Sequence, residues 1–398
     1  MSWPIVNLGD IAEFIRGVTF KPHDLIEFGA NDFVVCMRTK NIQKDLDESD
    51  LISLPKNLIK NKTKFLKKGD LLISTANSFE LVGKSCWVPE LEYPAVAGGF
   101  ISILRAKEEL LYPRYLFHWI KTSQTQNLLR NCGRQTTNIS NMDFDRAKML
   151  KIPVPPLNEQ KRIASILDKA DAVRRKRQQA IELSEQLLRS VFLDMFGDPV
   201  SNPKVFKLGK IGDLLSSVNY GTSSKAGENG KFPILRMNNI TYAGDWDLGS
   251  LKYIDMDEKE RKKYTVESGD ILFNRTNSKE LVGKTAVFSE KEPYIFAGYL
   301  IRSKTNSLAE PEYISSFLNS AYGKAILKNM CKSIVGMANI NAKEYQSIEI
   351  LIPPIEEQKK YVEITNKIRE QISTYKQSLI KINQLCGALN QTAFKGEL

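Results

Sequence analysis

Gly69-Asp70-Leu71-Leu72-Ile73-Ser74-Thr75-Ala76-Asn77-Ser78-Phe79-Glu80-Leu81-Val82-Gly83-Lys84 returns 200 residues later as Gly269-Asp270-Ile271-Leu272-Phe273-Asn274-Arg275-Thr276-Asn277-Ser278-Lys279-Glu280-Leu281-Val282-Gly283-Lys284, with ten of sixteen positions identical. The match spreads outward. Leu8-Gly9-Asp10-Ile11 aligns with Leu208-Gly209-Lys210-Ile211, and Arg38 with Asn41-Ile42 aligns with Arg236 and Asn239-Ile240. Ala97-Gly98 aligns with Ala297-Gly298, and Tyr115-Leu116 with Tyr313-Ile314. Each copy closes on a proline pair, Pro155-Pro156-Leu157-Asn158-Glu159-Gln160-Lys161 and Pro353-Pro354-Ile355-Glu356-Glu357-Gln358-Lys359. A period of half the chain is a duplication, not a solenoid repeat. Two copies of one module suit the reading of two separate stretches of one polymer.

Within each copy, Phe33–Met37, Asp70–Ile73 and Phe100–Leu104 are short apolar runs bounded by Gly, Asn and Pro, the pattern of strands. Tyr112-Pro113 opens a helix running toward Leu129 with Tyr115, Leu116, Trp119 and Ile120 on its buried face. After the proline pair the pattern changes. From Glu159 to Phe196 there is neither Gly nor Pro. Ile163, Ala170, Arg177, Ser184 and Val191 fall seven apart, and so do Ile166, Val173, Ala180 and Leu187. In the second copy Tyr361, Ile368, Tyr375, Ile382 and Leu389 repeat likewise, flanked by Ile372, Leu379 and Cys386. Sustained heptads predict a coiled coil. The expected fold is α+β: two similar α/β modules (1–155 and 198–353), two long helices (156–197 and 354–398) forming an antiparallel coiled coil, and a pseudo-two-fold internal repeat. A helix of ~38 residues spans ~57 Å at ~1.5 Å per residue, a strut that would hold the modules apart.

A formal charge of +11 and a pI near 9.2 favour a polyanionic partner. A hydrophobic fraction of 42% with 26% charged residues is that of a folded globular chain. No apolar run is long enough to cross a bilayer and no secretory leader is visible, so the expected location is the cytoplasm. The five cysteines are scattered without a C-x-x-C pair and there are two histidines, so no zinc ribbon or structural metal is expected. Gly83-Lys84-Ser85 and Gly283-Lys284-Thr285 imitate the end of a phosphate-binding loop, but serine stands at 78 and 278 where the upstream glycine belongs. A strand-turn-strand connection with the lysine facing a DNA phosphate fits better. Neither a G-x-G-x-x-G fingerprint nor an Asn/Asp-Pro-Pro-aromatic motif for base methylation occurs, so no catalytic site is expected.

Loops that offer Arg, Lys, Asn, Gln and Thr at strand ends are the candidate DNA readers, because these side chains match the hydrogen-bonding edges of bases. In the first copy they are Arg38, Lys40, Asn41, Lys84 and the run Arg134-Gln135-Thr136-Thr137-Asn138. In the second they are Arg236, Asn238, Asn239, Arg275, Asn277, Lys284, Met337 and Asn339. The recurring asparagines (Asn41/Asn239, Asn138/Asn339) have an equal claim as turn formers. The residues that differ between copies (Lys40, Gln135 and Thr137 against Asn238, Val335 and Met337) are better placed to discriminate sequences. Arg174-Arg175-Lys176-Arg177 is expected to be a solvated helical face, with Arg177 at a heptad core position pairing across the helices.

The doubled Leu-Gly-x-Ile start, the Gly-Asp-Leu/Ile-Leu strand, the Pro-Pro-x-x-Glu-Gln-Lys junctions, the Phe192–Pro199 exit and the C-terminal Ala393-Phe394-Lys395-Gly396-Glu397-Leu398 together resemble the specificity subunit of Type I restriction-modification enzymes. The resemblance covers nearly the whole chain. It implies two target recognition domains, each reading half of a bipartite double-stranded DNA sequence. It implies a helical spacer that docks methyltransferase (M) subunits, two of them expected, and restriction/translocase (R) subunits. It implies no catalytic activity in the chain itself, with S-adenosylmethionine, ATP and Mg expected on those partners and no cofactor on this chain. A scaffold of twin modules binding protein or RNA is the alternative, and a compact ATPase a third reading.

Overall fold

The computed structural model describes residues 3–135, 139–334 and 337–398, which divide into two units. One comprises Met1–Gln178 with Gln377–Leu398, the other Gln179–Lys376.

In the first unit, a four-stranded antiparallel sheet has the order Ala12–Arg16, Ile101–Ala106, Leu71–Ser74, Ser85–Trp87. Its two faces pack into separate apolar clusters. Leu71, Ile73 and Leu104 join the helix Pro113–Lys121, while Leu72, Ile103 and Ile101 face a second sheet. This continuous burial explains why those strands read as unbroken apolar runs rather than alternating ones. The second sheet pairs Phe33–Met37 antiparallel to Ile52–Pro55 and parallel to Ala95–Ala97. A hairpin of Gly133–Gln135 and Ser140–Met142 adds the short strand Ala76–Asn77. The second unit repeats the plan with Leu215–Tyr220, Leu300–Thr305, Ile271–Asn274 and Thr285–Val287, and with a hairpin of Lys332–Ile334 and Met337–Asn339 beside Thr276–Asn277. Its second sheet is larger, gaining Thr265–Val266 behind the short helix Glu258–Tyr264.

The repeated Gly-Asp pair is a turn device. Asp70 and Asp270 each accept the backbone N–H three residues back, from Lys67 (2.7 Å) and Glu267 (2.9 Å). Their glycines sit at φ +95° and +90°, where a side chain would be strained. Asp70 is further clamped by Arg105, Nε to Oδ1 and Nη2 to Oδ2 both at 2.7 Å. In the second unit lysine replaces that arginine, and Lys304 stands 3.8 Å from Asp270. With the clamp weakened, burial pushes the Asp270 carboxyl above its usual range.

Hydrogen bonding shifts one sequence alignment by a residue. Gly98 N–H donates to Met37 O (2.8 Å) and Ala297 N–H to Leu235 O (2.9 Å), so Gly98 corresponds to Ala297 and Gly99 to Gly298. The alignment of Ala97-Gly98 with Ala297-Gly298 is therefore corrected.

The long helices are Leu157–Phe196 and Ile355–Lys395, of 40 and 41 residues. Each starts on its proline pair because the motif's glutamine is fully buried and satisfied. Gln160 accepts from Tyr112 N–H (2.7 Å) and donates to Leu110 O (3.0 Å) and Pro155 O (2.8 Å). Gln358 accepts from Glu310 N–H (2.9 Å) and donates to Leu308 O (3.0 Å) and Pro353 O (2.9 Å). One amide thus ties the long helix to the start of the module's core helix.

Within each unit the helices run antiparallel. In the first, Arg162 donates to Leu398 O (2.8 Å) and Cys386 lies by Ala170 O (3.8 Å), with Ile163, Ala164 and Leu167 packed into the cluster that holds Leu389 and Ala393. In the second, Glu185 pairs with Lys376 (3.0 Å) and the rings of Phe192 and Phe196 meet Tyr361. The heptads of the second helix hold: Tyr361, Ile368 and Ile372 are buried. In the first helix one stripe is a residue out of phase. Leu167 and Ile181 are buried, whereas Val173 (53% exposed) and Leu187 (49%) face solvent. The seam continues from Ile163 at i+4, not i+3; both positions lie on the same helical face, and two apolar side chains made the wrong one attractive.

Candidate nucleic-acid interface

Four loops in each unit come to one rim because of strand order and register. In the first, Arg16 lies opposite Ser102 and Ser74 opposite Ile101. Met37 bonds Gly98, so the turn after Phe33–Met37 reaches the same side. The rim therefore gathers Arg16, the Arg38–Asn41 turn, Thr75–Asn77 with the paired strands Gly133–Gln135 and Ser140–Met142, and the Gly98–Phe100 turn. In the second, Tyr220 lies opposite Ile301 and Asn274 opposite Leu300, gathering the equivalent segments. Gly17 and Gly221 let the backbones touch there: a Cβ would meet Gly98 O at 2.0 Å and Ala297 O at 2.3 Å.

The two arginine turns are built alike. Arg38 N–H donates to Asn41 Oδ1 (2.7 Å), and Asn41 Nδ2 donates to Asp47 O (2.7 Å) and Asp50 O (3.1 Å). Arg236 N–H donates to Asn239 Oδ1 (2.9 Å), and Asn239 Nδ2 to Asp247 O (2.9 Å). Asn41 and Asn239 are buried, so both are corrected from base readers to turn formers. Arg38 braces the turn through Asp50 (2.8 Å) and Arg236 through Ser250 O (3.1 Å). Lys40 is exposed and paired with Asp50; Asn238 is exposed.

The Gly-Lys turns do connect strand to strand. Gly83 N–H donates to Ser74 O and Gly283 N–H to Asn274 O. Their lysines differ in use. Lys84, half-buried, donates to Gln43 Oε1 (2.7 Å) and so tethers the arginine turn. Lys284 is buried beneath its turn, donating to Met237 O (2.8 Å) and Ile240 O. It cannot face a phosphate, and that expectation is corrected. Burial also lowers the pKa of its ammonium.

Arg275 lies over the Tyr220 ring, 4.9 Å to the centroid, and donates to Asn339 Oδ1 (3.2 Å). Asn339 in turn donates to Thr276 Oγ1 (3.2 Å). Asn277 accepts from Ser278 N–H (2.9 Å), and Met337 is 46% exposed. Arg134 and Gln135 fall in the hairpin strand Gly133–Gln135. Thr136, Thr137, Asn138 and Val335 lie outside the described residues. Sequence reasoning missed Phe100 (67% exposed) and Tyr299 (52%), which occupy equivalent rim positions: their carbonyls accept from Thr75 and Arg275. An aromatic directly after a glycine at a strand start was the available signal. It also missed Arg16 and Tyr220.

The basic run on the first long helix is less solvated than expected. Arg174 and Arg175 both bond Asp171, and Arg175 forks onto Asp45 (2.6 and 2.8 Å) in the loop beyond the arginine turn. The Arg175 hydrogen bond holds the Asp45 carboxyl below its usual range.

One family model, Type I restriction modification DNA specificity domain, matches the chain twice, over residues 2–183 and 201–384. The chain is 29% identical over 420 residues to the EcoKI specificity subunit of Escherichia coli (strain K12), covering 100% of this chain and 89% of that protein. It is 27% identical to the StySPI specificity subunit of Salmonella potsdam, with 100% and 89% covered. A crystal structure of a Type I restriction-modification S subunit from M. genitalium shares the fold, with a TM-score of 0.62 at 15% identity over 99% of this chain and 96% of that one. With a twice-built rim and a specificity-domain match to each half, the chain belongs to the family of Type I restriction-modification specificity subunits, whose domains recognise DNA sequence.

Proposed function

We propose that each unit's rim reads one half of a bipartite duplex target, and that the long helices fix the gap between halves and dock the methyltransferase and restriction subunits. The observation that carries this reading is the rim itself, assembled twice from the same backbone bonds but furnished with different outward side chains. Phosphate contacts position a protein on DNA and base-edge contacts specify the sequence. Arg38, Lys40, Asn238, Arg275, Asn277, Met337 and Asn339 are the proposed contacts among the described side chains, with Lys84 acting through Gln43. Arg134, Gln135, Thr136, Thr137 and Asn138 are proposed for the first half-site. The chain supplies recognition and no chemistry; S-adenosylmethionine, ATP and Mg belong to its partners, of which two are methyltransferase subunits. No helix among the described residues is long and apolar enough to cross a membrane, in keeping with cytoplasmic DNA as the target.

Single-molecule methylome sequencing of a host with and without the gene tests this. A bipartite methylated motif should vanish with the chain. An unchanged methylome, or preferential binding of the assembled complex to single-stranded RNA over duplex DNA, would overturn it.

A further inference from the structure

Among the described residues each rim carries a guanidinium lying over an aromatic ring, but cation and ring come from different positions in the two units. In the first unit the cation is Arg16, the last residue of its strand, with its guanidinium carbon 4.9 Å from the Phe144 ring centroid. Phe144 opens the short helix Phe144–Lys148 and packs against Phe14 at 5.6 Å. In the second unit Tyr220 stands at the strand-end position of Arg16, and Ala342 at that of Phe144. There the strand supplies the ring, and Tyr220 Oη accepts from Ala342 N–H (2.9 Å). The cation arrives instead from Arg275, where the first unit has a buried Thr75.

We propose that Arg16 and Arg275 are the guanine-reading residues of the first and second units, each aimed by the ring on which it lies. The proposal rests on the reading that these rims face DNA bases. An arginine fork matches guanine O6 and N7 bidentately, the commonest specific contact in the major groove. Stacking on a ring fixes the plane of the guanidinium while leaving its edge donors available. Arg16 is exposed, and among the described residues no carboxylate pairs with it. Arg275 is oriented by Tyr220 below and by two edge contacts, Nη2 to Asn339 Oδ1 (3.2 Å) and Nη1 to Gly298 O (3.5 Å), which leaves one N–H on each terminal nitrogen. Arg38 and Arg175 differ in kind, because each is ion-paired with a carboxylate, Arg38 through Nη2 to Asp50 and Arg175 through both terminal nitrogens to Asp45. Since the cation springs from a different segment in each unit, a strand end for Arg16 and the junction between Ile271–Asn274 and Thr276–Asn277 for Arg275, the guanine falls at a different place in each half-site.

The test is methylome sequencing of hosts carrying the complete enzyme with Arg16→Ala or Arg275→Ala. Each substitution should turn one guanine position of one half-site into a position that tolerates other bases, the other half-site staying intact. Discrimination at that position should fall about 10- to 100-fold. Arg16→Lys and Arg275→Lys keep the charge but lose the fork, and should relax the same positions; they decide the matter if an alanine variant fails to fold. An unchanged motif would overturn the proposal. So would a uniform loss of binding across sequences with a shallower salt dependence, the mark of a phosphate contact. If the methylated motif persists when the whole chain is deleted, the DNA-reading function fails; if it vanishes on deletion yet ignores both arginines, only this proposal does.

Discussion

Gln160 accepts a 2.7 Å hydrogen bond from the backbone N–H of Tyr112, the residue that caps the start of the core helix Pro113–Lys121. Its amide nitrogen closes two further backbone carbonyls, and Gln358 repeats the arrangement on Glu310. A buried polar side chain is tolerated here because both of its N–H donors and its carbonyl oxygen have partners. Gln160→Leu leaves one N–H and two C=O groups without partners in the interior. The expected loss is roughly 3 kcal/mol, at about 1 kcal/mol or more per orphaned group. Urea unfolding of the variant measures it, and a loss below about 0.5 kcal/mol would show the motif is not a structural lock.

Lys284 gives a second prediction. Lys284→Met removes both bonds that hold the Met237–Ile240 turn from beneath and should cost on the order of 2 kcal/mol. DNA affinity should lose none of its salt dependence, because the ammonium never meets a phosphate. A shallower slope of log affinity against log salt would mean that the lysine swings out on binding.

The acid side of the stability profile should depend on Asp168. Burial pushes its carboxyl up, but the hydrogen bond to His118 (2.8 Å) and the charge of Arg114 (2.7 Å) outweigh this and leave it below its usual range. A carboxylate depressed on folding stabilises above its unfolded pKa and loses that contribution as pH falls through the folded value. Asp168→Asn should therefore flatten the decline in unfolding free energy below about pH 4. Chemical unfolding between pH 3 and pH 6, scales set by ordinary carboxylates, checks it; parallel curves for the two proteins would contradict it.

Much of this was legible because it is duplicated. Pro-Pro-x-x-Glu-Gln stood out in both copies, and its glutamine proves to do the same job in each. The heptads of the second helix were read in phase, since Tyr361, Ile368 and Ile372 leave no competing stripe. Recurrence misled where identical residues sit in different surroundings. Lys84 and Lys284 share a Gly-Lys turn, yet one reaches Gln43 at the surface and the other a buried turn of carbonyls. Asn41 and Asn239 recur for the shape of the backbone, not for a ligand. The Arg16–Phe144 and Arg275–Tyr220 pairs were invisible in sequence, because each brings together residues far apart in the chain and the cation changes position between copies. The Gly98–Ala297 equivalence needed hydrogen bonds to set the register.

The spacing role of the helices admits the most direct test. Removing one heptad from each, residues 174–180 and 376–382, keeps the apolar seam in phase and shortens the pair by about 10 Å. That length is about three base pairs. Methylome sequencing of a host carrying the shortened subunit with its partners should return the same two half-sites with about three fewer unread base pairs between them. Retention of the original gap at full methylation would contradict the account.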